Sequence, residues 1–140
     1  MKSKEKNNII FIRLFPDEDV KEQLKKACEN HKVKTAVVIS GIGQLKSAQL
    51  GYFIEKGNYA PQIFTNTLEL LSLTGNICTH ESDYALHLHA ILGDKEKSTI
   101  GGHFISGKIS ITGEIVLLKS DINIKRKIDD NTGLMTLMLD

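Results

Sequence analysis

Three of the chain's five histidines fall within "HLHAILGDKEKSTIGGH", residues 87 to 103. His87 and His89 are one residue apart, and His103 directly follows Gly101 and Gly102. In an extended strand alternate side chains share a face, so His87 and His89 project together while Leu86, Leu88 and Ala90 turn the other way. Their Cα atoms then lie roughly 6.5 to 7 Å apart, a span that two imidazoles can close onto one ion. His103 joins them if the chain after "LGDKEKST" folds back beside the first strand, where the two glycines let backbones approach closely. Three neutral imidazoles favour a borderline metal such as Zn²⁺ and leave a coordination position open. The same spacing also fits a strand that simply shows a polar face to water.

Glu69 shares alternation parity with Leu71 and Leu73, which makes it either a buried, partnered carboxylate or a sign of a different register. Near the histidines it would orient a metal-bound water or carry a proton; elsewhere it would form an ion pair or an interface contact. Asp83 has the parity of His87 and is a further candidate. His31 and His80 read as structural, and so do Cys28 and Cys78, two free thiols with no Cys-x-x-Cys spacing. "SGIGQLKSAQLG", residues 40 to 51, is not a dinucleotide loop: Lys46 stands at the third glycine position and no helix follows. Gly41 and Gly43 are expected in a tight strand connection.

The elements that must position these residues are mostly strands. "IIFIRLF" (9 to 15) is a β-branched and aromatic strand closed by Pro16. From Asp17, read as an N-cap, through residue 30, Val20, Leu24, Ala27 and Cys28 recur at helical spacing and predict the one main helix. Strands are expected over 33–43, 47–54, 67–79, 83–92 and 108–119, the third and fourth joined as a hairpin and the last with a bulge at Gly113. "GLMTLMLD" reads as a last edge strand. The expected fold is α+β: a mostly antiparallel sheet with one flanking helix (17–30), residues 1–8 a flexible polar N-terminus and 9–140 a single domain.

Composition narrows the function. The chain has 140 residues, a net charge of +1 and only two arginines, Arg13 and Arg126. That balance lacks the electrostatic footprint of a domain that lives on phosphate backbones, and base-edge reading relies on the guanidinium fork. "MKSKEKNN" lacks the apolar core of a secretory signal and no apolar run is long enough to span a bilayer, so the expectation is a cytoplasmic protein with no membrane partner.

Taken in order, "SGIGQLKSAQLGYF", "LELLSLTGNI", "LHLHAILGD", "GGHF" and "GEIVLL" resemble the plants-and-prokaryotes-conserved (PPC) domain family, in its free-standing prokaryotic form. The resemblance implies a homotrimer, metal-ligand roles for His87, His89 and His103, and a motif position for Glu69. It also brings DNA as a partner, since plant relatives join the domain to AT-hooks and act as DNA-binding regulators. This chain has no Arg-Gly-Arg-Pro core, and "NTLELL" places Asn66 and Thr67 where the plant partner-contact motif has glycine and arginine. The implied function is a small trimeric binding or regulatory protein with a Zn²⁺-like ion. The alternative is a metal-dependent lyase or hydrolase acting on a small carbonyl or carboxylate compound, with Glu69 as acid/base. The fold also resembles acetolactate decarboxylase, a three-histidine zinc enzyme, a likeness that transfers no activity. A third reading is a structural trimer whose histidines line an interface.

Overall fold

Residues 9 to 14 alternate strictly between exposed and buried, with Ile10, Ile12 and Leu14 at 0–2% exposure. That period of two sets the plan of the whole chain. The computed structural model describes residues 1–139. The elements are β1 (Lys2–Lys6), β2 (Ile9–Leu14), α1 (Val20–Asn30), β3 (Thr35–Glu55), β4 (Asn58–Phe64), β5 (Leu68–His80), β6 (Asp83–Gly93), β7 (Thr99–Ser120), β8 (Lys125–Ile128) and β9 (Met135–Met138). The first seven strands form one antiparallel sheet in the order β1-β2-β7-β6-β5-β3-β4, and β7 also pairs with β3. That extra ladder closes β3, β5, β6 and β7 into a ring. β8 and β9 form a separate two-stranded ribbon.

The mostly antiparallel sheet with a single helix matches the α+β expectation. α1 starts at Val20, capped by Asp19, whose carboxylate accepts from the Glu22 amide at 3.1 Å. Asp17, expected as the cap, instead takes a left-handed turn with φ 71°. The nearby Glu18 carboxylate accepts from the Phe15 amide, so the "PDED" run makes a turn before the helix begins. Val20, Leu24, Ala27 and Cys28 are fully buried, each worth about 1.5–3 kcal/mol for a large aliphatic and less for the small ones. α1 packs over β7, β2 and β6.

Three boundaries differ from expectation, for identifiable reasons. Residues 2–6 pair with β2 instead of fraying. Asn7 and Asn8, both at positive φ, make the two-residue hairpin turn, and Glu5 is tied to His31 and Lys119. The 33–43 and 47–54 strands are one continuous β3, and Gly41 and Gly43 make no connection between them. Gly43 (φ +148°) faces Gly113, where a Cβ would lie 2.2 Å from the Thr112 carbonyl, so glycine permits close strand crossing and a bend in the closing ring. Finally, β7 begins at Thr99, taking the Gly-Gly-His segment into the ladder. The closing "GLMTLMLD" does supply a strand, β9, but it pairs with β8 and not with the main sheet; Asp140 lies outside the described residues.

Candidate metal centre

The β5–β6 hairpin turns at Glu81 and Ser82, and β7 returns along the other edge of β6 with His89 directly opposite His103. His103 is also opposite Gly51 of β3. β7 therefore passes from β6 to β3 at this residue, and the strands part beside it. Gly101 and Gly102 permit the approach: a Cβ on Gly102 would sit 2.9 Å from the Gly51 carbonyl. Leu88 and Ala90 face the core, which turns His87 and His89 outward together.

The three imidazoles form a nearly equilateral triangle, with ring centroids 5.2, 5.3 and 5.4 Å apart. One ligand atom from each lies within 4.8 Å of the others. His87 Nε2 and His89 Nε2 are 3.3 Å apart. Two nitrogens bound tetrahedrally to zinc at its usual bond length are separated by about 3.3 Å, so this pair already matches the edge of such a site. The donor set fits a zinc-like ion. Burial pushes His103 down to about 4, with Lys21, His87 and His89 adding repulsion. Burial also lowers His87, followed by the charge of Arg126. Both effects favour the neutral imidazole, the form that ligates metal.

A cleft of about 1180 Å³ lies over the triad. Tyr59 meets His103 edge-on at 6.2 Å, and only glycine at position 51 leaves room for it, since a Cβ there would lie 2.1 Å from the Tyr59 ring. The far wall is the β8–β9 ribbon, including Leu134, Met135 and Leu137. From it Arg126, 8% exposed, donates to Asn76 Oδ1 and to the Met135 carbonyl, while its Nε has no partner among the described residues. Asn76 is the β5 partner of His87, so Arg126 stands one strand away from the triad. The sequence reading missed Arg126. Its signal was a lone arginine between Lys125 and Lys127, which looks like any solvated basic run.

The other candidates lie elsewhere. Glu69 is exposed, accepts a hydrogen bond from Gln44 at 2.7 Å and sits opposite Gly93. Gly93 is four residues along β6 from His89, roughly 13 Å at the strand rise. A bulge between Leu70 and Ser72 explains the parity: Leu71 faces outward with Glu69, and Leu73 is buried. Asp83 pairs with Lys25 of α1. Both cysteines are buried free thiols, and burial raises Cys28 to about 12.

A model of the Plants and Prokaryotes Conserved (PCC) domain matches residues 1–121. The chain is 32% identical over 128 residues to the bifunctional protein GlmU of Synechococcus sp. strain JA-2-3B'a(2-13), a match that covers 90% of this chain and 19% of that protein. It thus spans about a fifth of the length of the curated relatives it matches. Its fold is similar to that of a proposed DNA-binding protein from Bacteroides thetaiotaomicron, with a TM-score of 0.92, 24% identity and coverage of 99% and 96% of the two chains. It is also similar to a metal-containing protein from Archaeoglobus fulgidus, with a TM-score of 0.84, 29% identity and coverage of 96% and 95%. No helix among the described residues is long and apolar enough to cross a membrane.

Proposed function

The chain belongs to the Plants and Prokaryotes Conserved domain family, and from that premise we propose that it is a homotrimeric metal-binding domain holding a Zn²⁺-like ion through His87, His89 and His103. The observation that carries the metal is the 3.3 Å spacing of the His87 and His89 nitrogens within the closed triangle of imidazoles. The Archaeoglobus protein's description as metal-containing is consistent with it. Elemental analysis of untagged protein tests the assignment. About one zinc per chain is expected in the wild type, and a His87→Ala/His89→Ala variant should hold less than about a tenth of that, because two of three ligands are gone. Equal metal in the two proteins would refute the site. Both side chains are exposed, so the variant is expected to fold.

Assembly is supported by an apolar stripe on the outer face of the sheet. Phe11 is 64% exposed, Val37 45% and Leu118 40%, and the ladder β2–β7–β3 sets Ile9 and Val37 on either side of Leu118. A contiguous exposed patch of this kind is covered in most folded proteins, here by a second copy. Light scattering should give three chains per particle for the wild type and a smaller particle for Phe11→Glu; a wild-type monomer would contradict the proposal.

DNA binding, proposed for the Bacteroides protein, transfers weakly to this chain. With a net charge of +1 and Arg126 buried, little guanidinium is left for phosphates or base edges. The enzymatic reading needs a proton carrier at the ion, and within one chain Glu69 is committed to Gln44. A binding or regulatory role is therefore the better-supported assignment.

A further inference from the structure

The cleft over the triad carries positive charge without an acid to balance it. Arg126 is more than nine-tenths buried in its wall, and none of the described residues lining the cleft is an aspartate or glutamate. A guanidinium held out of water normally finds a carboxylate, because burying an unpaired charge is costly. Here its protein partners are two neutral oxygens, Asn76 Oδ1 and the Met135 carbonyl, and Nε is left over. Three imidazoles also bring no negative charge to offset a divalent ion. We infer that the cleft binds a small organic carboxylate with an apolar tail, the carboxylate taken by Arg126 beside the ion held by His87, His89 and His103.

The surroundings select this ligand class. One arginine matches one carboxylate, and no lysine is among the described residues lining the cleft, Lys21 acting on His103 from outside that lining, so a polyphosphate would be poorly matched. Phe53, Leu134, Met135 and Leu137 give apolar walls to the rest of the ligand. The cleft, about 1180 Å³, is far larger than a metal-bound water requires. The ribbon that carries Arg126 follows the residues matched by the family model, 1–121, and sets an apolar wall and a buried charge beside the triad. A purely structural arginine, pinning the ribbon to β5 through Asn76, would need no acid-free cleft around it.

This proposal rests partly on the metal reading, and calorimetry can separate the two. Butanoate and the neutral butanamide are titrated into zinc-loaded and zinc-free protein. Butanoate is expected to bind the zinc-loaded protein at least about tenfold more tightly than butanamide, as a charge-assisted bond predicts. Arg126→Gln should weaken butanoate by a similar factor of about ten while its zinc content stays unchanged. Because that variant also disturbs the ribbon's anchor, Leu137→Glu supplies a second probe. Leu137 is paired with Arg126 across the ribbon and also lines the cleft, so a carboxylate there should occupy the guanidinium and block butanoate with Arg126 still in place. Zinc bound with no preference for butanoate over butanamide, or butanoate affinity unmoved in both variants, overturns the carboxylate site and leaves the metal site standing. Absent zinc, with Arg126-dependent butanoate binding retained, supports the carboxylate site and sinks the metal reading alone.

Discussion

On one side of the cleft, His89 is paired with Thr74 of β5 and with His103 of β7, inside a ring of long ladders closed by β3. On the other, Arg126 sits on a ribbon of four-residue strands that joins no ladder of the main sheet. The ribbon is held by the burial of Ile124, the bond from Arg126 to Asn76, and a bond from Lys56 to the Asp130 carbonyl. A donor triangle must keep its spacing within a fraction of an ångström to bind metal, so it belongs on elements fixed from both sides. A wall that shapes a ligand pocket tolerates more movement. An isolated two-stranded ribbon is only marginally stable by itself, which makes it the part of the site free to adjust to a ligand.

The same substitution in each region separates the two. Gly75 lies opposite Leu88 with φ +146°, and a Cβ there would stand 2.0 Å from the His87 carbonyl. Gly75→Ala must move the backbone that carries His87. The expected cost is about 2–3 kcal/mol, from backbone strain plus displaced pairing, with a lowered melting midpoint and weakened zinc binding together. In the ribbon, Gly133 also has positive φ, +74°, but a Cβ there meets nothing closer than Lys56 Cγ at 3.6 Å. Gly133→Ala should cost about 1 kcal/mol, from φ alone, and leave zinc content unchanged. Equal loss of zinc in both variants would mean that ring and ribbon are a single cooperative unit, and the contrast would fail.

The ring was more legible in the sequence than the ribbon. Alternation put Leu88 and Ala90 inward and both histidines of His-x-His outward, because a strand buried on one face leaves no freedom of register. The return of His103 was legible in part: Gly101 and Gly102 allowed a close approach of the chain, but the strand that makes it was expected from residue 108 and begins at Thr99. Where a bulge intervened, parity failed: the extra residue after Leu70 puts Leu73 on the face opposite Glu69, and no residue type between them announces it. The glycines of β3 failed for a related reason, since a bend inside a closed ring and a turn between strands use the same residue. Arg126 was illegible because its burial depends on Asn76, fifty residues away, and local sequence records nothing of that contact.

Proton uptake gives the finest separation between ring and ribbon. His103 is held at about 4 against an ordinary 6.5, chiefly by burial. In metal-free protein the unfolded chain therefore takes up this proton first as pH falls. The histidine's contribution to stability is fully present above pH 6.5, declines between 6.5 and about 4, and changes no further below that. His87, lowered in the same direction, adds to the decline. The ribbon behaves differently. The Asp129 carboxylate in its turn is lowered from 3.8, first by the Thr132 hydroxyl and then by the Thr132 amide, so its contribution holds above 3.8 and is lost only in stronger acid. Amide exchange of metal-free protein should thus show β6 and β7 loosening as pH drops from 6.5 to 4, after correction for intrinsic rates, while Thr132 keeps its protection. His103→Gln should flatten that loosening and leave the protection of Thr132 as it is. The effect is small, because His103 is only half-buried and solvent screens it, yet its sign is fixed. If the loosening of β6 survives His103→Gln undiminished, burial of that imidazole is not what makes the ring acid-sensitive.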